Sequence, residues 1–129
     1  MYAFNVTLEQ PFDDAVETVI EALKAERFGV VADIDVQGIL KAKLDVAYPG
    51  YRVLGACRPA LARQIADADP DAGALLPCNV LVRECPDGST TVAFMDPVTV
   101  LCLSESEEVK ALAETAKQDL LKVADRLGA

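Results

Sequence analysis

The chain has no histidine. That absence removes Ser-His-Asp and Cys-His nucleophilic catalysis, the commonest general base near neutral pH and the commonest zinc ligand. Cationic side chains are also scarce, with 12 Lys and Arg against 21 Asp and Glu and a formal net charge of -9. Nucleic-acid affinity rests on Lys and Arg displacing counterions from phosphate, so no nucleic-acid partner is expected. Long apolar runs are missing too: no stretch approaches the roughly 20 residues that a membrane-spanning helix requires. The opening "MYAFNVTLEQ" lacks the basic start and continuous apolar segment of a signal peptide. A cytoplasmic protein without membrane contact is expected. Glycine-rich phosphate loops and the HExxH, GxSxG and EF-hand patterns are absent as well, which leaves little basis for an enzyme and implies no particular cofactor or metal.

What is present is ordinary globular material. Residues 1–129 form one domain by length, 52% hydrophobic and 26% charged, and a chain of this size buries roughly two thirds of its unfolded surface. The four cysteines, Cys57, Cys78, Cys85 and Cys102, form neither a CxxC pair nor a zinc-ribbon pattern. Buried free thiols are the expectation in a reducing compartment. One segment runs against the acidic balance: between 41 and 63 the chain carries Lys41, Lys43, Arg52, Arg58 and Arg63 against Asp45 alone. It reads either as a solvated face or as an anion site.

Hydrophobic periodicity orders the elements. "YAFNVTL" (2–8) alternates as a half-buried strand. Pro11 opens a helix to about Phe28, with Phe12, Ala15, Val16, Val19, Ile20 and Leu23 in one stripe. "VVADI" is a short strand, and Asp35 caps a helix to about Leu44 whose Val36, Ile39, Leu40 and Leu44 are expected to face inward. "YRVLGAC" (51–57) is a strand ending at Arg58-Pro59, where a helix to about Ala68 begins. Strands 75–85 and 89–95 flank the hairpin turn "PDGS". A short turn after Asp96-Pro97 leads to a last helix, with Ser104 and Glu107 spaced as a capping box and an apolar stripe from Val109 to Leu127. This mixture predicts an α+β fold of two layers, a mainly antiparallel sheet with helices packed on one face. The uncovered face invites a partner.

Two places could carry chemistry. At "GACRPALAR" Arg58 occupies a helix N-terminus, where the dipole favours an acceptor or an anion rather than a cation. It points to solvent, or shares an anion with the helix start, Cys57 at the strand end and Lys43 or Lys41 nearby. At "LLPCNVLV" Pro77 donates no ladder bond and marks where a strand begins, so Cys78, Val80 and Val82 share one face while Asn79, Leu81 and Arg83 share the other. A buried Asn79 carboxamide must find a fixed partner or face a ligand. Cys85 and Cys102 read as packing residues, and Asp96 as a turn or cap residue before an acid/base group.

The pieces "IDVQGILKAKL", "YRVLGACRPALA", "GALLPCNVLVRE" and "DP" (96–97) resemble, in order, the domain-of-unknown-function family 302. The resemblance implies a TATA-binding-protein-like α+β fold and a homodimer, with family-like positions at Lys43, Gly55, Cys57, Pro59, Pro77, Cys78, Asn79 and Asp96. It supplies no activity, and a fold shared with DNA-binding proteins says nothing about DNA. Arg58 departs from the asparagine usual in the family. The expectation is a homodimeric domain that binds a small anion or metabolite near Lys43, Cys57, Arg58, Cys78, Asn79 and Asp96. The alternative is a thiol protein using Cys57 and Cys78 for redox, sulfur or soft-metal chemistry.

Overall fold

Five antiparallel strands form one sheet in the computed structural model, which describes residues 1–128. They are β1 (Ala3–Leu8), β2 (Gly29–Asp35), β3 (Tyr51–Cys57), β4 (Cys78–Glu84) and β5 (Thr90–Met95), arranged β1-β5-β4-β3-β2. The alternation that defines a strand places Val80 and Val82 of β4 on the same face as Leu54 of β3, Val92 and Phe94 of β5, and Val6 and Leu8 of β1. All of these are buried beneath helices α1 (Phe12–Ala25) and α5 (Glu107–Arg126). Each such aliphatic or aromatic side chain contributes about 1.5 to 3 kcal/mol on leaving water.

A second, smaller core lies beside the first. It joins α3 (Pro59–Ala68), the 3-10 segment Pro70–Leu75, α4 (Pro97–Leu101) and the first half of α5 through Leu61, Ile65, Ala72, Leu101, Val109, Ala113 and Ala116. Helix α5 serves both cores because its buried positions recur every three or four residues over its 20-residue length. The predicted two-layer α+β class and the helical stripes of α1 and α5 are what the structure has.

Several local expectations need correction. The first helix ends at Ala25, where Arg27 takes a left-handed φ of 66° and the Phe28 N–H returns to the Leu23 carbonyl. The last helix is capped by Ser106, whose hydroxyl accepts from the Val109 N–H. Ser104 instead donates to Asp69 at 2.6 Å and accepts from the Ser106 N–H, tying the two loops together. The larger correction concerns α2 (Val36–Leu44), which Asp35 does cap through the Gly38 N–H. None of its residues is buried, and Ile39 and Leu44 are 47% and 65% exposed. The helix lies outside the sheet at the Tyr51 end of β3, so its apolar side chains have no core to enter.

The uncovered sheet face has its own order. Ile34, Val53, Leu81, Ala93 and Asn5 lie in register across all five strands, a mostly apolar row open on one side. In the neighbouring row Ala32, Gly55 and Asn79 are aligned. Gly55 is buried there because Pro77 lies over it: a Cβ on Gly55 would stand 2.8 Å from Pro77 Cγ.

Candidate functional site

The two signature strands end together. Ala56 is the register partner of Cys78, which puts Cys57, Arg58, Pro77 and Cys78 at one end of the sheet, where β3 runs into α3. Between the two cores at this end is a cavity of about 60 Å³, lined by apolar side chains that include Phe28, Leu61, Ile65 and Leu101. Ala56, Cys57, Arg58, Pro77 and Cys78 also border it. It is the place where the sheet core and the helical core fail to close on each other.

Arg58 explains why a cation can occupy this helix start. Its side chain makes no cap bond. It turns inward instead, where Nη1 donates to Asp119 Oδ2 of α5 at 2.5 Å and Nη2 to the Glu26 carbonyl at 2.5 Å. Its guanidinium carbon stands 4.6 Å from the centre of the Phe28 ring, an additional attraction between the cation and the ring face. The solvent-facing reading of Arg58 therefore gives way to an internal ion pair. Burial pushes the Asp119 carboxyl up, but the Arg58 hydrogen bond and charge, assisted by Lys122, outweigh it and hold the carboxyl below its ordinary value. One polar atom is left over: Arg58 Nε is buried without a hydrogen-bond partner.

The thiols differ in environment. Cys78 is buried, and burial followed by the neighbouring charge of Cys57 pushes its thiol up to about 11. A thiol so displaced is protonated at neutral pH and a poor nucleophile. Cys57 and Cys78 border the same cavity, as the pairing of Ala56 with Cys78 implies. All four cysteines are free.

The other expected site residues separate. Asp96 is 8% exposed and at the same sheet end, but its carboxylate accepts from the Val98 N–H to cap α4 and pairs with Lys117 at 3.0 Å. Its cap reading is what the geometry supports. Asn79 is exposed on the open sheet face, across from Gly55, and has no burial to compensate. The expectation of a buried carboxamide is corrected: alternation turned it away from the helices. Lys43 lies on α2, beyond the opposite end of β3, roughly 20 Å from Cys57 at the usual strand rise. Four of the five cations of the basic segment are dispersed into separate pairs, Lys41 with Asp45, Arg52 with Asp33, Arg58 with Asp119 and Arg63 with Asp67.

Sequence reasoning missed Phe28, Asp119 and the α3–α5 side chains of the cavity. Asp119 carried a signal, since it lies three residues after Ala116 and one before Leu120, on the flank of a stripe that is otherwise aliphatic. Among the described residues no group of three or more metal-ligating side chains comes together, and no helix is long and apolar enough to cross a membrane.

Comparison with known proteins agrees with the architecture. The chain is similar to the crystal structure of an uncharacterized conserved DUF302 protein from Bacillus stearothermophilus, with a TM-score of 0.90, 24% identity and 98% of each chain covered. At that identity the likeness establishes the fold. No curated protein matches. A family model described as "Domain of unknown function DUF302" matches residues 4–127. With the match running from the first strand through the last helix, the chain belongs to the DUF302 family.

Proposed function

We propose that this domain is a non-enzymatic, homodimeric binding domain of the cytoplasm that takes a small molecule into the cavity beside Cys57, Arg58 and Cys78. The observation that carries the reading is the cavity itself, an apolar space left open between two otherwise tightly packed cores. Native interiors close such voids because unfilled lining loses its dispersion contacts. Four free cysteines suit a reducing compartment.

The test is methyl NMR with 2-methylpropene as an apolar probe. Saturable shifts at Leu61, Ile65 and Leu101, abolished in Ala62→Phe, are expected; no saturable shift in the native chain overturns the reading. Ala62 lines the cavity but is half-buried, so the larger side chain can fill the space without entering the main core.

The homodimer is supported by surface that lacks an intramolecular partner. A nine-residue helix is marginal in water on its own, yet α2 buries nothing. The row Ile34, Val53, Leu81, Ala93 is uncovered beside it. Native mass spectrometry is expected to give a dimer that Leu81→Glu converts to monomer; a monomeric native chain overturns this part.

The thiol reading has one observation in its favour, that Cys57 and Cys78 border the same cavity. The raised Cys78 thiol opposes it. Ligand binding is therefore the stronger conclusion.

A further inference from the structure

The sequence alone leaves open whether the ligand is a small anion or another metabolite. We infer that the cavity selects a small, uncharged molecule with an apolar body and one hydrogen-bond acceptor. This rests on the cavity reading above and specifies the chemistry of its occupant.

Charge is the first argument. Arg58 is the one cation bordering the cavity, and Asp119 already neutralises it at 2.5 Å. The Glu26 carbonyl takes a second donor and the Phe28 ring stands beside the guanidinium. Lys117, adjacent in sequence to the lining residue Ala116, is likewise paired with Asp96. Lys122 also reaches Asp119, at 3.6 Å, but it is 63% exposed and does not border the cavity, so an anion entering the apolar lining would give up its hydration with no unengaged cation beside it, which is strongly unfavourable. A neutral molecule has no such charge to desolvate. The lining of Phe28, Leu61, Ile65, Leu76 and Leu101 favours an apolar body directly.

The acceptor follows from Arg58 Nε. A buried donor without a partner forfeits the hydrogen bonds it had in water, and an acceptor brought to it restores one. Water does not reach this atom in the ligand-free arrangement, so contact requires the guanidinium to turn slightly toward the cavity. Its Nη1 and Nη2 bonds anchor the far edge of the same planar group. The chemical class is thus a small ketone, aldehyde or comparable neutral carbonyl compound. The available 60 Å³ limits the buried part to a few non-hydrogen atoms.

Three probes of equal size and similar planar shape separate the possibilities: acetone, 2-methylpropene and acetate. Each is titrated into the native chain while the Arg58 Nε–H resonance and the cavity methyl groups are followed by NMR. Acetone is expected to move the Nε–H resonance saturably and 2-methylpropene is not, because only the carbonyl offers an acceptor. Acetate is expected to give no saturable shift at the cavity. Acetate binding as tightly as acetone overturns the inference, as does acetone leaving Nε–H unmoved or 2-methylpropene moving it as far. In those cases binding of 2-methylpropene leaves the cavity reading standing. If no probe binds, both are overturned.

Discussion

Arg58 and Asp119 are 61 positions apart in the chain and meet at 2.5 Å, joining the start of α3 to the middle of α5. Both side chains are largely shielded, at 19% and 17% exposure. Arg58 borders the apolar cavity and Asp119 holds it from behind, so the pair fixes the guanidinium at the cavity's edge and ties the two helices together.

A double-mutant cycle measures what this pair contributes. Arg58→Asn and Asp119→Asn are each expected to destabilise by about 1 to 3 kcal/mol, because the first leaves Asp119 with only the exposed Lys122 and the second leaves the shielded Arg58 without a carboxylate. The double variant should lose less than the two losses added, with a coupling of about 1 to 2 kcal/mol given the residual solvent screening. Urea unfolding of the four proteins checks it; additive losses would mean that the contact is energetically idle.

Acid stability has a defined sign. The folded Asp119 carboxyl sits below its ordinary value, so its contribution is present in full above the unfolded value of about 3.9 and is lost as pH falls through the lower folded value. Unfolding free energy of the native chain should therefore fall below about pH 4 more steeply than that of Asp119→Asn. Parallel curves from pH 5 to 2 would contradict this assignment.

Alkylation should separate the thiols. At pH 8 a Cys78 thiol pushed up to about 11 is ionised in about one molecule in a thousand. Cys85 is the opposite case: the Thr91 hydroxyl 3.1 Å away heads the hydrogen bonds that lower its thiol, and Arg83 adds to the effect. Iodoacetamide followed by peptide mass spectrometry is expected to label Cys85 and the exposed Cys102 quickly and Cys78 only with unfolding. Early labelling of Cys78 would show that the cavity admits the reagent.

Gly55→Ala should destabilise by about 1 to 3 kcal/mol, the usual penalty of overpacking. The new methyl would lie 2.8 Å from Pro77 Cγ and 3.1 Å from Ala32 Cβ, and neither neighbour is a flexible side chain. Thermal unfolding checks it, and an unchanged midpoint would mean that the Pro77 loop relaxes freely.

How far the molecule was legible from its residues depends on the range of the interaction. Alternation alone separated Cys78, Val80 and Val82 from Asn79, Leu81 and Arg83, and turn chemistry alone gave the hairpin joining β4 and β5. These are consequences of neighbouring residues. Whether Asn79 is buried depends on what covers its face, and no local pattern carries that. Arg58 posed the right question, since a cation at a helix start needs an explanation, but its answer lies in another helix. The stripe on α2 shows the converse limit: periodicity establishes that a helix has an apolar side, while only the path of the chain decides whether anything lies against it.

Helix α2 and the edge strand β2 also divide the molecule by persistence. Every residue from Val31 to Asp35 is exposed, and the helix that follows adds no buried side chain. Backbone amides in such a segment exchange with solvent through small openings that leave the cores intact, far more often than those of β4 or α5. The chain therefore has a slowly exchanging body around its cavity and a fast-exchanging arm, and any second molecule that settles on the arm would be recorded as a slowing of that clock.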